Sequence, residues 1–188
     1  MEDIQSQKDG RGISIDKVGV SDLRYPIVVL DREHKKQHTV GRLSLSVSLP
    51  HEFKGTHMSR FIEVLNEHHG ELTMRTLPKM LRDLRSKLDA ETAHVFVSFP
   101  YFLQREAPIS RSRAALDYDC TFSAEVNNGD FDFVVGVRVP ITTLCPCSKA
   151  ISDYGAHNQR GYADIRVRSV QDKNGQPDLV WIEELIAV

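Results

Sequence analysis

Cysteine is scarce in this chain of 188 residues: there are three, an odd number and too few for a disulfide framework. No apolar run approaches the roughly 20 residues needed to span a bilayer. The stretch from Met1 to Arg11 is polar throughout, so it has no apolar core of a secretory signal. Neither sign of charge dominates: 24 Lys and Arg stand against 26 Asp and Glu, a net −2. That balance argues against a general nucleic-acid binder, which carries a net basic face. Gly (11) and Pro (8) are too few for a collagen-like or low-complexity chain. What remains is 40% hydrophobic and 27% charged, an ordinary globular composition long enough for one large domain or two small ones. The absences together predict a cytoplasmic protein with reduced thiols and neither nucleic acid nor membrane as partner.

The hydrophobic pattern predicts an α+β fold. Residues 1–22 are rich in Gln, Lys, Asp and Gly and read as a mobile N-terminal arm. Tyr25 to Leu30 reads as a short strand. Leu43, Leu45, Val47 and Leu49 alternate with Ser44, Ser46 and Ser48, the mark of a half-buried strand. The period then changes. Met58, Phe61, Ile62 and Leu65 form one helical stripe, with Thr56 as N-cap and Gly70 as stop. Leu77, Met80, Leu81, Leu84 and Leu88 form a second, with Thr76 as cap. Three strands follow around Val95–Phe99, Tyr118–Val126 and Phe131–Val139, with Pro100 and Pro140 as stops and Asn127 to Asp130 as a turn. Ala163, Ile165 and Val167 mark another strand, and a helix starts near Val180. In order this is β-β-α-α-β-β, then β-β-α. The second run, residues 129–188, repeats the opening of the first, residues 23–128, and ends unfinished. The apolar face of its first strand, from Phe131 to Val139, is expected to lack most of its cover within the chain.

The chemistry concentrates between Leu144 and Arg160. Two of the three cysteines, Cys145 and Cys147, flank Pro146, and one of the eight histidines, His157, follows. Thiolate and imidazole are ligands for zinc and related divalent ions. On one continuous helix twelve residues would separate Cys145 and His157 by ~18 Å, so only a chain that folds back lets them share an ion. In an extended chain Cys145 and Cys147 point the same way, so one or both thiols could face a site. A redox pair and half of a structural zinc knuckle with Asp153 are the competing readings. Cys120 reads as a small buried hydrophobe. A second segment runs from a strand into a helix start and sets His57, Ser59 and Arg60 in the first turn, where free N–H groups suit an anion. The competing reading is a plain capped helix. His68 and His69 read as solvated residues at a helix end.

Several of these segments resemble one family. Ile15-Asp-Lys-Val-Gly-Val20, Asp22-Leu-Arg-Tyr-Pro26, Gly55-Thr-His-Met-Ser-Arg-Phe61, Phe99-Pro-Tyr-Phe102, Ala107-Pro-Ile-Ser110, Leu144-Cys-Pro-Cys-Ser-Lys149 and Tyr154-Gly-Ala-His-Asn-Gln-Arg160 together resemble the type IB GTP cyclohydrolase I family, from about residue 13 onward. The resemblance implies the tunnelling fold, with tandem β-β-α-α-β-β units whose sheets join between subunits, and a homotetramer. It implies metal-dependent hydrolysis of GTP at C8 to 7,8-dihydroneopterin triphosphate and formate, the first step of folate and pterin biosynthesis. It assigns Cys145 and His157 as catalytic residues and ligands of a divalent ion, zinc or manganese, with iron as a further option. The triphosphate needs cations, and Arg60, Lys149 and Arg160 are candidates beside His57 and Ser59.

Members of that family continue for roughly another 70 residues by typical element lengths, through the α-β-β that completes the second unit. That part carries a glutamate for the guanine edge and a further histidine ligand. Two alternatives therefore stand beside the main expectation. One is the archaeal branch of the family, which makes a cyclic phosphate product. The other is a non-catalytic metal-binding module, if the chain is only these 188 residues.

Overall fold

Strand formation starts earlier than the apolar run at Tyr25 suggests. In the computed structural model, which describes residues 10, 12–127, 129–154, 156, 158–171 and 177–187, β1 spans Ile15–Asp31. Residues 15–22, read from composition as part of an arm, are therefore strand. Polar side chains do not prevent this, because the backbone of β1 pairs with β2 (Lys35–Leu49) from Ile15↔Leu49 to Asp31↔Lys35. Two helices follow, α1 (Met58–Glu67) and α2 (Leu77–Lys87), then β3 (Thr92–Glu106), β4 (Arg113–Asn127) and β5 (Asp130–Leu144). A six-residue helix, α3 (Pro146–Ile151), precedes β6 (Asn158–Arg168), and α4 (Ile182–Ala187) ends the described chain. The order β-β-α-α-β-β and then β-β-α is thus present, with α3 as an element that the hydrophobic pattern did not announce. No described helix is long and apolar enough to cross a membrane.

The six described strands form one antiparallel sheet in the order β1-β2-β3-β4-β5-β6. One face is apolar by alternation: Leu43, Leu45 and Val47, then Ala93, Val95 and Val97, then Cys120, Phe122 and Ala124, then Phe133, Val135 and Val137. Phe61, Val64 and Leu65 of α1 and Leu77, Met80, Leu81 and Leu84 of α2 join the same cluster. The stripe of α1 is centred on Val64 rather than on Met58, which is exposed. The start of α1 also lies one residue later than expected, with His57 rather than Thr56 at the N-cap. The other face of the sheet, with Ser44, Ser46, His94 and Ser123, carries polar side chains.

The β5 face is already covered inside this chain, contrary to the expectation from sequence. Phe131, Phe133, Val135 and Val137 are buried, and Ile182 and Ile186 of α4 pack into the same cluster with Leu179 and Val180. α4, with Leu179 and Val180 before it, thus serves as the lid over this end of the sheet. Each such side chain left wet would forfeit ~1.5–3 kcal/mol.

The sheet is six strands wide only in its middle. Pairing of β2 with β3 stops at Arg42↔Ser98, and pairing of β4 with β5 stops at Asp119↔Arg138. Past those points three two-stranded arms run on in the same direction: β1–β2 to Asp31↔Lys35, β3–β4 to Glu106↔Arg113, and β5–β6 to Leu144↔Asn158. Pro100 and Pro140 each sit two residues past a fork. Each has become an edge residue there, where a missing N–H is tolerated, and its strand continues on its other neighbour. Both prolines therefore fail as strand stops. Between the first two arms the Gln37 side chain replaces the lost ladder. Its Nε2 donates to Phe102 O at 2.9 Å and its Oε1 accepts from Phe102 N at 2.8 Å.

Candidate active site

The β5–β6 arm carries the Cys-Pro-Cys segment at its tip. Leu144 pairs with Asn158, Thr143 with Gln159 and Thr142 with Arg160. Cys145 directly follows Leu144, the end of the ladder, as the extended N-cap of α3, with φ −72° and ψ 113°. The chain does fold back between the two motif halves, as a shared ion would require. His157 itself lies outside the described residues. Cys147 belongs to α3 rather than to an extended run, so the two thiols do not point the same way along a strand as expected. Cys147 is exposed, whereas Cys145 is half-buried.

Hydrogen bonding tunes Cys145. The Ser148 hydroxyl and the Ser148 N–H hold its thiol below the ordinary range against desolvation, with Cys147 adding a lesser pull in the same direction. The Cys145 carbonyl is occupied separately, accepting from Lys149 N at 3.1 Å. A lowered thiol gives up its proton more readily, and the thiolate is the form that binds metal or attacks an electrophile. Cys120 is the contrast: burial, first, and the nearby Asp119 and Glu183 charges push its thiol far up.

Alternation assigns the arm's two faces. Thr143 and its partner Gln159 share one face with Ile141 and Gly161, and the extended Cys145 continues onto it. Arg160 shares the opposite face with Thr142 and is exposed. Lys149 is exposed in the last turn of α3. Among the described residues no group of three or more His, Cys, Asp or Glu side chains is placed to hold a metal ion.

The other candidates sit on different elements. His57 is the N-cap of α1, without a side-chain capping bond, and Ser59 is exposed in its first turn. Arg60 donates from Nη1 to Lys87 O at 2.7 Å, so part of its guanidinium closes the C-terminal end of α2. His68 is not a freely solvated residue: its Nε2 lies 2.9 Å from Asp83 Oδ2 on α2, and its side chain is only 11% exposed.

Two polar clusters escape a reading of motifs. On the polar face of the sheet, Ser46 pairs with His94 and His94 with Glu125, and His94 Nδ1 lies 3.1 Å from Glu125 Oε2 beside a cavity of about 260 Å³. At the arm end, the buried Tyr101 hydroxyl donates to Glu183 Oε1 at 2.6 Å, and Arg32 N donates to the same oxygen at 2.8 Å. The first is assembled by strand register and the second by α4 packing, each across more than 30 residues of sequence, so no local spacing betrays them.

The profile of one family, type I GTP cyclohydrolase folE2, matches residues 1–188. Curated relatives of similar sequence include GTP cyclohydrolase FolE2 of Syntrophotalea carbinolica, 48% identical over 187 residues that cover 100% of this chain and 67% of that protein. GTP cyclohydrolase FolE2 of Geotalea uraniireducens is 47% identical over 188 residues, 100% of this chain and 66% of its own length. That of Kosmotoga olearia is 49% identical, covering 99% of this chain and 69% of that protein. The chain thus spans about two thirds of the length of these relatives. Among solved structures, uricase from Arthrobacter globiformis is similar with a TM-score of 0.48 and 9% identity, covering 84% of this chain and 62% of that one, a likeness too slight to bear on function.

Proposed function

The chain belongs to the type I GTP cyclohydrolase folE2 family, and on that premise we propose that the protein hydrolyses GTP at C8 of guanine, giving 7,8-dihydroneopterin triphosphate and formate. The observation that supports this best is the Cys145 thiol, held low by Ser148 at the tip of a hairpin whose last pair is Leu144↔Asn158. That register sets the sequence neighbours of positions 145 and 157 across from each other.

A thiolate and an imidazole suit a divalent ion of the zinc or manganese class. Cys145 and His157 would hold it, and the ion would make a water acidic enough to act near neutral pH. Ring opening also needs a proton at the departing N9, a task suited to a histidine that is not itself bound to the ion. The triphosphate would be met by Lys149 and Arg160, with His57 and Ser59 at the α1 start. Arg60 would contribute only the N–H groups not committed to Lys87. The protein is proposed to act as a homotetramer in the cytoplasm, where its free thiols would stay reduced.

Cys145→Ala in the full-length protein tests this. The expected outcome is loss of bound divalent metal and loss of formate release from GTP, with Cys147→Ala doing less harm. Unchanged turnover in Cys145→Ala would remove the residue from the mechanism. Metal binding without turnover would favour the non-catalytic module, and mass spectrometry of the product separates the triphosphate from the cyclic phosphate of the archaeal branch.

A further inference from the structure

We infer that Gln159 is the hydrogen-bond donor to N7 of the guanine, an inference that rests on the C8 hydrolysis proposed above. The last two ladder positions on the Cys145 face of the arm are Ile141↔Gly161 and Thr143↔Gln159. Gly161 offers no side chain and Ile141 no polar atom. The Thr143 hydroxyl is committed, donating to Gln159 O at 3.3 Å. That bond ties the Gln159 backbone to the neighbouring strand and leaves its side chain exposed, with no hydrogen-bond partner among the described residues. Gln159 is thus the one side chain at those two positions with spare N–H groups, one residue from the ladder's end beside Cys145.

The substrate's chemistry says what such a donor meets. C8 has two nitrogen neighbours in guanine. N9 carries the ribose and has no lone pair to offer, whereas N7 is an open acceptor. A group that sits beside the atoms acting on C8 therefore faces N7. When oxygen adds to C8, the C8–O bond forms and the C8=N7 π pair moves onto N7. An amide N–H aimed there is a stronger partner for the transition state than for the ground state. The proton that N7 finally takes comes from solvent; Gln159 donates a hydrogen bond and keeps its own.

The experiment compares the full-length wild type with Gln159→Leu, similar in shape without a donor, and Gln159→Glu, which offers only acceptors. Each is measured with GTP as substrate and 7-deaza-GTP, which has C–H in place of N7, as competitive inhibitor. Both variants should lose about 10²–10³-fold in kcat, the loss typical of removing one donor to developing charge. Metal content should stay at the wild-type level, and the Ki for 7-deaza-GTP should not rise in Gln159→Leu, because that ligand has no acceptor to lose. Wild-type kcat in Gln159→Leu overturns the inference. So does an equal weakening of 7-deaza-GTP, or metal loss, either of which makes the residue structural. A wild-type protein that does not turn over GTP with metal supplied overturns the activity reading, and Gln159 falls with it. An active wild type beside an equally active Gln159→Leu sinks only the role of Gln159.

Discussion

The three cysteines share a residue type and differ in everything that decides reactivity. Cys120 was legible as a buried hydrophobe because it falls on the apolar parity of β4, and it is 0% exposed. Cys145 and Cys147 were legible as a chemical pair but not as a geometry, because a proline between two cysteines permits both an extended chain and the first turn of a helix. The chain takes the second, with Pro146 at the first position of α3. Reactivity should follow these environments. Iodoacetamide on the native, metal-free protein should modify Cys145 first, then Cys147, and leave Cys120 untouched until the protein is unfolded. Peptide mass spectrometry reads the order. Labelling of Cys120 in the native state at the rate of Cys145 would contradict the environment assigned to it. Histidines were harder to read: His68 was expected to be solvated because its partner Asp83 lies on the next helix, 15 residues away.

At the scale of elements, periodicity located every strand but misplaced several ends. The termination signals were read as properties of a single strand, whereas Pro100 and Pro140 lie where one neighbour departs and the other stays. Gly70 was correctly read as a stop. Its φ is +66°, and a Cβ there would meet Pro26 O at 2.5 Å, so both conformation and close approach require glycine. The turn between β1 and β2 depends on a charge. Asp31 is 5% exposed; its Oδ1 accepts from Glu33 N at 2.9 Å and His34 N at 2.6 Å, and its Oδ2 from Gln37 Nε2 at 3.2 Å. Burial pushes this carboxyl up, but the His34 N–H, the Gln37 amide, the His34 charge and the Glu33 N–H outweigh it and hold it below the ordinary 3.8. A depressed carboxylate adds stability above its unfolded pKa and loses it as pH falls through the lower folded value. Asp31→Asn should therefore cost about 1–3 kcal/mol at pH 7. The gap between variant and wild type should shrink as pH drops below 3.8. Urea unfolding at several pH values measures it, and a gap independent of pH would show that the charge is irrelevant.

At the scale of the whole molecule, the sheet is closed by helices on one face and open on the other, and its arms project beyond the six-stranded part. The fork could not be read from sequence, since alternation continues unbroken along strands that have lost one neighbour. Exposed apolar side chains gather on the arms: Ile109 is 95% exposed at the β3–β4 tip, and Ile141, Leu144 and Tyr162 are 39%, 46% and 63% exposed on β5–β6. Burying such side chains fully yields ~1.5–3 kcal/mol each. Three or four of them per copy, on both partners, supply a gain of the same order as an association cost of ~4–15 kcal/mol. The edges argue that this association is selective. β6 is an edge strand bearing Arg160, Asp164, Arg166 and Arg168, charges that resist indiscriminate strand addition. Assembly through the arms, rather than open-ended stacking, is then the expected outcome, and the proposed homotetramer is a closed solution of that kind. Sedimentation equilibrium of the full-length protein should give four times the chain mass. Ile109→Glu, a change at an exposed tip that leaves the buried cluster intact, should lower that mass without altering the far-ultraviolet circular dichroism. A wild type that sediments as a monomer at micromolar concentration would rule out the assembly. A tetramer indifferent to Ile109→Glu would move the contact away from the β3–β4 tip and onto the β5–β6 arm that carries Cys145.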